Sequence, residues 1–186
     1  AMLSGLSSPF ADALMEFDST VGRLSAALVS AGVAGNTLTF VTGDNGPWAC
    51  KCDGKLTGTA GPFAGEWQRS HGGGGSSWKT TLWEGGHRVV GIAHWPGTVP
   101  AAVSGALTSS LDFMPTFAEL AGVALPADRT FDGMSLAKIL PTGRPKNGSA
   151  HPTLSHPLSG AGGGGPVDAM RLGDYKAHWT TSPGLG

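Results

Sequence analysis

The sequence predicts an α/β fold, and three observations carry that prediction. An amphipathic helical stretch leads into an apolar, β-branched run; that run ends in an acidic turn, Thr42-Gly43-Asp44-Asn45-Gly46-Pro47; and a second strand-like run, Arg88 to His94, follows a long irregular segment. A helix feeding a buried strand is half of a βαβ unit. The strand that completes it is expected upstream of Ala1. In open α/β sheets ligands collect outside the carboxyl ends of the strands, so an acidic residue one step past a strand is the first place to look for chemistry.

Leu14, Phe17, Val21, Leu24 and Leu28 recur at spacings of three and four, which predicts one apolar face of a helix from about Asp12 to Ser30, with Gly32 as its C-cap. The residues Thr37 to Val41 are apolar or β-branched in succession, as in a strand buried on both faces. Trp48 to Ser77 shows no period and reads as a long functional loop. Its rings Trp48, Phe63 and Trp67, with the adjoining Trp78, suit either a core or stacking on an aromatic ring or sugar face. After the second strand, closed by Trp95-Pro96-Gly97, Ser110 to Pro115 begins a helix in which Pro115 is acceptable because first-turn N–H groups are unpaired anyway. Phe113, Phe117, Leu120 and Ala121 are its expected inward face, and Gly122 ends it. Phe131 to Leu136 reads as a turn leading to a short helix, stopped by Pro141. Short strands are expected at His151 to Ser159 and within Ala169 to Thr181, the latter folded at a Gly173-Asp174 turn.

At 186 residues, with 40% hydrophobic and 13% charged residues, the chain is globular in composition and long enough for a core. A formal net charge of −1 gives no general attraction to nucleic acid or acidic membranes. No stretch approaches the roughly 20 apolar residues of a membrane span. The first residues, Ala1 to Gly5, lack the basic start and apolar core of a signal peptide. The glycine runs 72–75 and 162–165 are expected in surface loops. Cys50 and Cys52 are too close for an ordinary mutual disulfide and lack the second pair of a zinc site.

Asp44 and Asn45 offer hard oxygen donors, suited to Ca²⁺ or Mg²⁺ rather than to a soft metal. The same tripeptide with Gly46 also favours an ordinary turn. Lys79 offers an ammonium to an anion, the alternative being a solvated surface charge. Together they suggest a metal-anchored site for an anionic ester. Gly85-Gly86 is expected to supply close backbone approach, while His87 is expected in a packing or surface role, His94 within a strand, and His178 in a strand as a structural residue. His156, in a loop beside Pro157, is expected to be solvated more often than catalytic.

The order of these pieces resembles the sulfatase family, in particular arylsulfatases of the lysosomal type. The resemblance rests on the helix Asp12 to Gly22, "VTGDNGPW", "GPFAGEWQ", "KTTLWEGGHRV", "WPG", "LDFMPTFAELAG" and "FDGMSL", collinear from about Pro9 onward. It implies a partial alkaline-phosphatase-like mixed sheet flanked by helices over 1–145, with the start of a small C-terminal antiparallel subdomain over 146–186. It further implies that Asp44 and Asn45 ligate a divalent cation, usually Ca²⁺, that Lys79 contacts a sulfate group, and that the parent enzyme hydrolyses sulfate esters in a lysosomal or secreted setting. The family's nucleophile is a formylglycine made from the first residue of a Cys-x-Pro-x-Arg or Ser-x-Pro-x-Arg motif in the N-terminal half of the domain. Neither cysteine here is followed two residues later by proline, so this chain is expected to be the C-terminal part of such a domain, without its nucleophile. A phosphoryl-transfer hydrolase of the same superfamily is the rival enzyme reading, disfavoured by Asn45 where paired-zinc versions carry histidine. A non-catalytic metal- or glycan-binding remnant is the rival from another class.

Overall fold

The computed structural model of the chain describes residues 9–47, 60, 63, 79, 81–143, 150–157 and 167–179. Helices and two small antiparallel sheets make up these residues, an α/β arrangement as the sequence predicts. Cys50, Cys52, both glycine runs, Trp48, Trp67 and Trp78 lie outside the described residues, as does the expected division at 145/146.

Helix α1 spans Pro9–Ser30, three residues longer at its start than its apolar face indicates, because Pro9 suits a first helical turn. A single 3-10 turn, Ala34–Asn36, follows it, and among the described elements α1 packs against that turn alone. Its expected inward face is accordingly uncovered: Leu14, Phe17 and Leu24 are each about half exposed.

Strand β1, Thr39–Thr42, pairs antiparallel with β2, Gly91–His94, from Thr39 opposite His94 to Thr42 opposite Gly91. The expectation of a strand buried on both faces is corrected here, since Thr39, Phe40 and Val41 are only half-buried. One face is covered: Leu38 and Phe40, with Ala93 and Val99, pack on the core formed by Leu136, Leu140 and Ala150. Among the described strands β1 has β2 as its one neighbour. The Trp95 indole N–H donates to the Gly35 carbonyl at 2.8 Å, tying the end of β2 to the turn after α1.

A 3-10 turn at Ser110–Asp112 starts helix α3, Phe113–Ala121, and Gly122 closes it in the left-handed conformation at φ +66°. The short helix Glu84–His87, between β1 and β2 in the chain, is α2. The apolar spacing of α3 accounts for only part of its anchoring. Phe113 stacks on Phe40 at 4.8 Å and the Phe117 ring lies 5.9 Å from it, but Phe117 and Leu120 stay partly exposed, and the buried positions are Asp112, Pro115 and Thr116. The Asp112 carboxylate accepts from the Ser109 and Met134 N–H groups at 2.8 Å each and pairs with His151 Nε2 at 2.7 Å. Thr116 donates to the Asp112 carbonyl and accepts from the Leu136 N–H. A polar knot therefore seats the Phe131–Leu136 segment. Gly133 is required there, since a Cβ would stand 2.0 Å from the Leu111 carbonyl oxygen.

The short helix expected before Pro141 is a pair of successive turns through Gly143, with Leu140 N–H bonded to Leu136 O and Gly143 N–H to Ile139 O. Pro141 has no N–H to continue a helical ladder, so the first turn cannot extend. The second sheet has the order β3-β4-β5, Thr153–Pro157, Val167–Leu172 and Tyr175–His178. Its β4–β5 hairpin closes on Gly173-Asp174, with Gly173 at φ +56° and Arg171 directly opposite Lys176.

Candidate functional site

The chain leaves β1 through Gly43 into Asp44-Asn45-Gly46. Asp44 Oδ1 accepts the N–H of the next residue, Asn45, at 2.9 Å, and the side chain stays exposed. Asn45 is half-buried and Gly46 is buried. Gly46 N–H donates to the Gly86 carbonyl at 2.8 Å, and one residue on, the Pro47 carbonyl accepts the Lys79 N–H at 3.0 Å. These two backbone bonds form a seam between segment 44–47 and segment 79–86. Only glycine fits at 46: a Cβ there would stand 1.8 Å from the Gly85 carbonyl oxygen.

The seam brings the three residues singled out by sequence, Asp44, Asn45 and Lys79, into adjoining stretches of backbone. Asp44 and Asn45 supply two hard oxygen donors of the kind Ca²⁺ collects in sets of about six to eight. Among the described residues no group of three or more His, Cys, Asp or Glu is placed to hold a metal ion. The donor chemistry of this pair fits a hard cation, though two donors are only part of the set such an ion collects.

Behind the seam, α2 carries Glu84 and His87 around the buried pair Gly85-Gly86. The helix is one turn long, and it is held by side chains from the second sheet. Lys176 Nζ donates to Leu82 O, to Glu84 Oε1 at 3.2 Å and to His87 Nε2 at 2.9 Å. Those are three acceptors for the three hydrogens of an ammonium. Arg171 Nη1 donates to Glu84 Oε2 at 3.3 Å, and the more exposed Arg88 reaches the same oxygen at 3.5 Å. Burial pushes the Glu84 carboxyl up, but the Lys176 and Arg171 charges more than offset this and hold it below its ordinary value.

Burial, reinforced by the Lys176 charge, lowers the His87 pKa to about 4, which keeps the ring neutral and able to accept the Lys176 proton at Nε2. Burial also lowers His156 to about 4, and its ring lies 4.2 Å from that of His87. His156 is therefore packed in β3 rather than solvated in a loop. His178 stacks on Trp83 at 4.1 Å, consistent with a packing role, and His94 sits exposed in β2. Phe63, Trp83, Glu84, Arg171, Asp174 and Lys176 line a cavity of about 220 Å³ together with His178.

Sequence reasoning misses Glu84, Arg171 and Lys176. A signal for them exists: the Gly173-Asp174 turn sets Arg171 opposite Lys176, and like charges directly opposed across strands destabilise a hairpin unless an acid answers them.

A family model described as Sulfatase matches residues 7–123. Among curated proteins, the chain is 47% identical to arylsulfatase G of Canis lupus familiaris, over 93% of this chain and 31% of that protein. It is 38% identical to arylsulfatase A of Homo sapiens, again over 93% of this chain and 31% of that protein. Among solved structures, the PsFucS1 sulfatase from Pseudoalteromonas sp. superimposes with a TM-score of 0.75 at 31% identity, covering 94% of this chain and 31% of that one. The chain spans about a third of the length of these relatives.

Proposed function

Since this chain belongs to the sulfatase family, we propose that the whole protein hydrolyses sulfate esters, of small molecules or glycans, with Asp44 and Asn45 as ligands of a divalent cation and Lys79 as a sulfate contact. The observation that supports this reading is the seam at Gly46–Gly86 and Pro47–Lys79, which joins the backbone of the Asp44–Pro47 turn to that of Lys79. Ca²⁺ is the preferred cation and Mg²⁺ the alternative, because both donors are hard oxygens. When bound, the cation would supply Lewis-acid polarisation of a sulfate oxygen.

Within this chain, Asp44 and Asn45 hold the cation at the end of β1. Lys79 orients the anion and neutralises charge on its oxygens as the ester bond breaks. The formylglycine nucleophile is expected in the family's N-terminal half. Residues 1–145 are assigned to the catalytic α/β domain and 146–186 to the smaller sheet subdomain. No described helix is long and apolar enough to cross a membrane; residence in the lysosome or outside the cell is part of the proposal.

The test is Asp44→Ala in the whole protein, assayed with a chromogenic aryl sulfate during a Ca²⁺ titration. Removing the carboxylate should weaken cation binding and abolish most metal-dependent turnover. Unchanged affinity together with an unchanged rate would make Asp44 a turn residue only.

A further inference from the structure

Gly85 and Gly86 face two ways. On one side they meet Gly46, through the Gly46 N–H bond to Gly86 O and a contact that leaves no room for a Cβ. On the other they are flanked by Glu84 and His87, which the β4–β5 hairpin grips. A four-residue helix containing two glycines has little stability of its own, because nucleation is costly and glycine favours the unfolded chain. Its position must come from what holds it.

We propose that the cross-strand pair Arg171 and Lys176 positions the cation turn, acting through α2; the inference rests on the metal-binding reading of Asp44 and Asn45. Lys176 is the principal member. On a side chain only 12% exposed, its ammonium takes one acceptor from Leu82, one from the first residue of α2 and one from the last. Those three bonds fix Leu82, Glu84 and His87 relative to one point on β5. Arg171 holds the second oxygen of Glu84, and its own Nε is tied to the Gly173 carbonyl at 2.9 Å, so the hairpin turn is part of the clamp.

The coupling onward is steric as well as hydrogen-bonded. A displacement of the Gly85 carbonyl toward Gly46 meets backbone at once, and a displacement away breaks the Gly46–Gly86 bond. Asn45 is the next residue. The small sheet, which supplies none of the proposed ligands, thus sets the geometry of those on β1. Outer partners of this kind commonly cost about 10–100-fold in metal affinity or activity when removed.

The test uses the whole protein carrying Lys176→Met, Asp44→Ala and both together. Ca²⁺ affinity is measured by calorimetry, and kcat and KM with an aryl sulfate. Lys176→Met alone should weaken Ca²⁺ binding about tenfold and lower kcat by a similar factor. The decisive readout is the cycle: with Asp44 already absent, Lys176→Met should cost clearly less in affinity than it does alone, because part of its effect passes through the turn Asp44 occupies. Effects that simply add, within about twofold, would mark Lys176 as a general structural residue and overturn the proposal. If Lys176→Met does not fold, Arg171→Met carries the same cycle, since it removes one contact to Glu84 and leaves the ammonium in place. An Asp44→Ala variant with unaltered affinity and rate would sink the metal reading and this inference with it. A defective Asp44→Ala beside a normal Lys176→Met would sink the inference alone.

Discussion

Two carboxylates in this chain each organise a polar cluster, and they differ in how completely they are enclosed. Asp112 is fully buried, and its oxygens are taken up by two backbone N–H groups and His151. Glu84 is only half-buried, bonded to long cationic side chains and set beside a cavity. The Asp112 cluster joins α3 to the loop at 131–136 and lies nowhere on the seam. The Glu84 cluster backs directly onto it. Residue type does not separate a carboxylate that holds a fold from one that supports a site; saturation, burial and what lies one residue away do.

The largest effect expected from this contrast is on stability. Asp112→Ala strips the acceptor from two backbone N–H groups and removes the carboxylate from the buried pair with His151, and breaking a buried pair from one side typically costs about 3–5 kcal/mol. Denaturant unfolding of the whole protein should show that loss. A change below about 1 kcal/mol would mean that water replaces the carboxylate and the knot is not closed.

A smaller and differently shaped effect is expected at the Glu84 cluster, where pH rather than truncation is the probe. Well above about pH 6.5, His87 and His156 are neutral whether the chain is folded or not. As pH falls toward about 4, the unfolded chain binds protons that these two buried rings refuse, so their contribution to stability should decline through this window and then level off, while the lowered Glu84 carboxyl adds its own loss at the acid end. His87→Gln, which keeps an acceptor for Lys176, should remove part of that slope. A slope unchanged by the substitution would show that His87 titrates as an exposed ring and that the cluster is more open than described.

How much of this is legible in the sequence differs between the same two regions. The turn at Asp44-Asn45-Gly46, Lys79, the glycine pair and the Gly173-Asp174 hairpin all follow from local rules: turn chemistry, hard donors and strand alternation. Long-range partners do not. Arg171 and Glu84 lie 87 residues apart and Asp112 and His151 39 apart, and nothing local states that they meet. The face of α3 is read only in part for a related reason: its apolar spacing marks Phe113 and Phe117, which do reach Phe40, while the deepest burial is decided by Asp112 and Thr116 bonding to distant backbone. The apolar face of α1 is read correctly as a pattern, yet no described element covers it.

Lys79 is the most direct probe of the proposal that the seam between residues 44–47 and 79–86 is one edge of a sulfate-ester site. The measurement is kcat/KM of the whole protein with and without Lys79→Ala, together with Ca²⁺ affinity and thermal stability. An ammonium facing an anion in a cleft is poorly screened, and removing one such donor should lower kcat/KM by about 10²–10³-fold while cation affinity and melting change little. Lys79→Arg should rescue only part of the loss, because a planar fork places charge differently from a compact ammonium. A kcat/KM within about threefold of the unaltered protein, less than about 1 kcal/mol of transition-state binding, would remove Lys79 from the site and contradict the account.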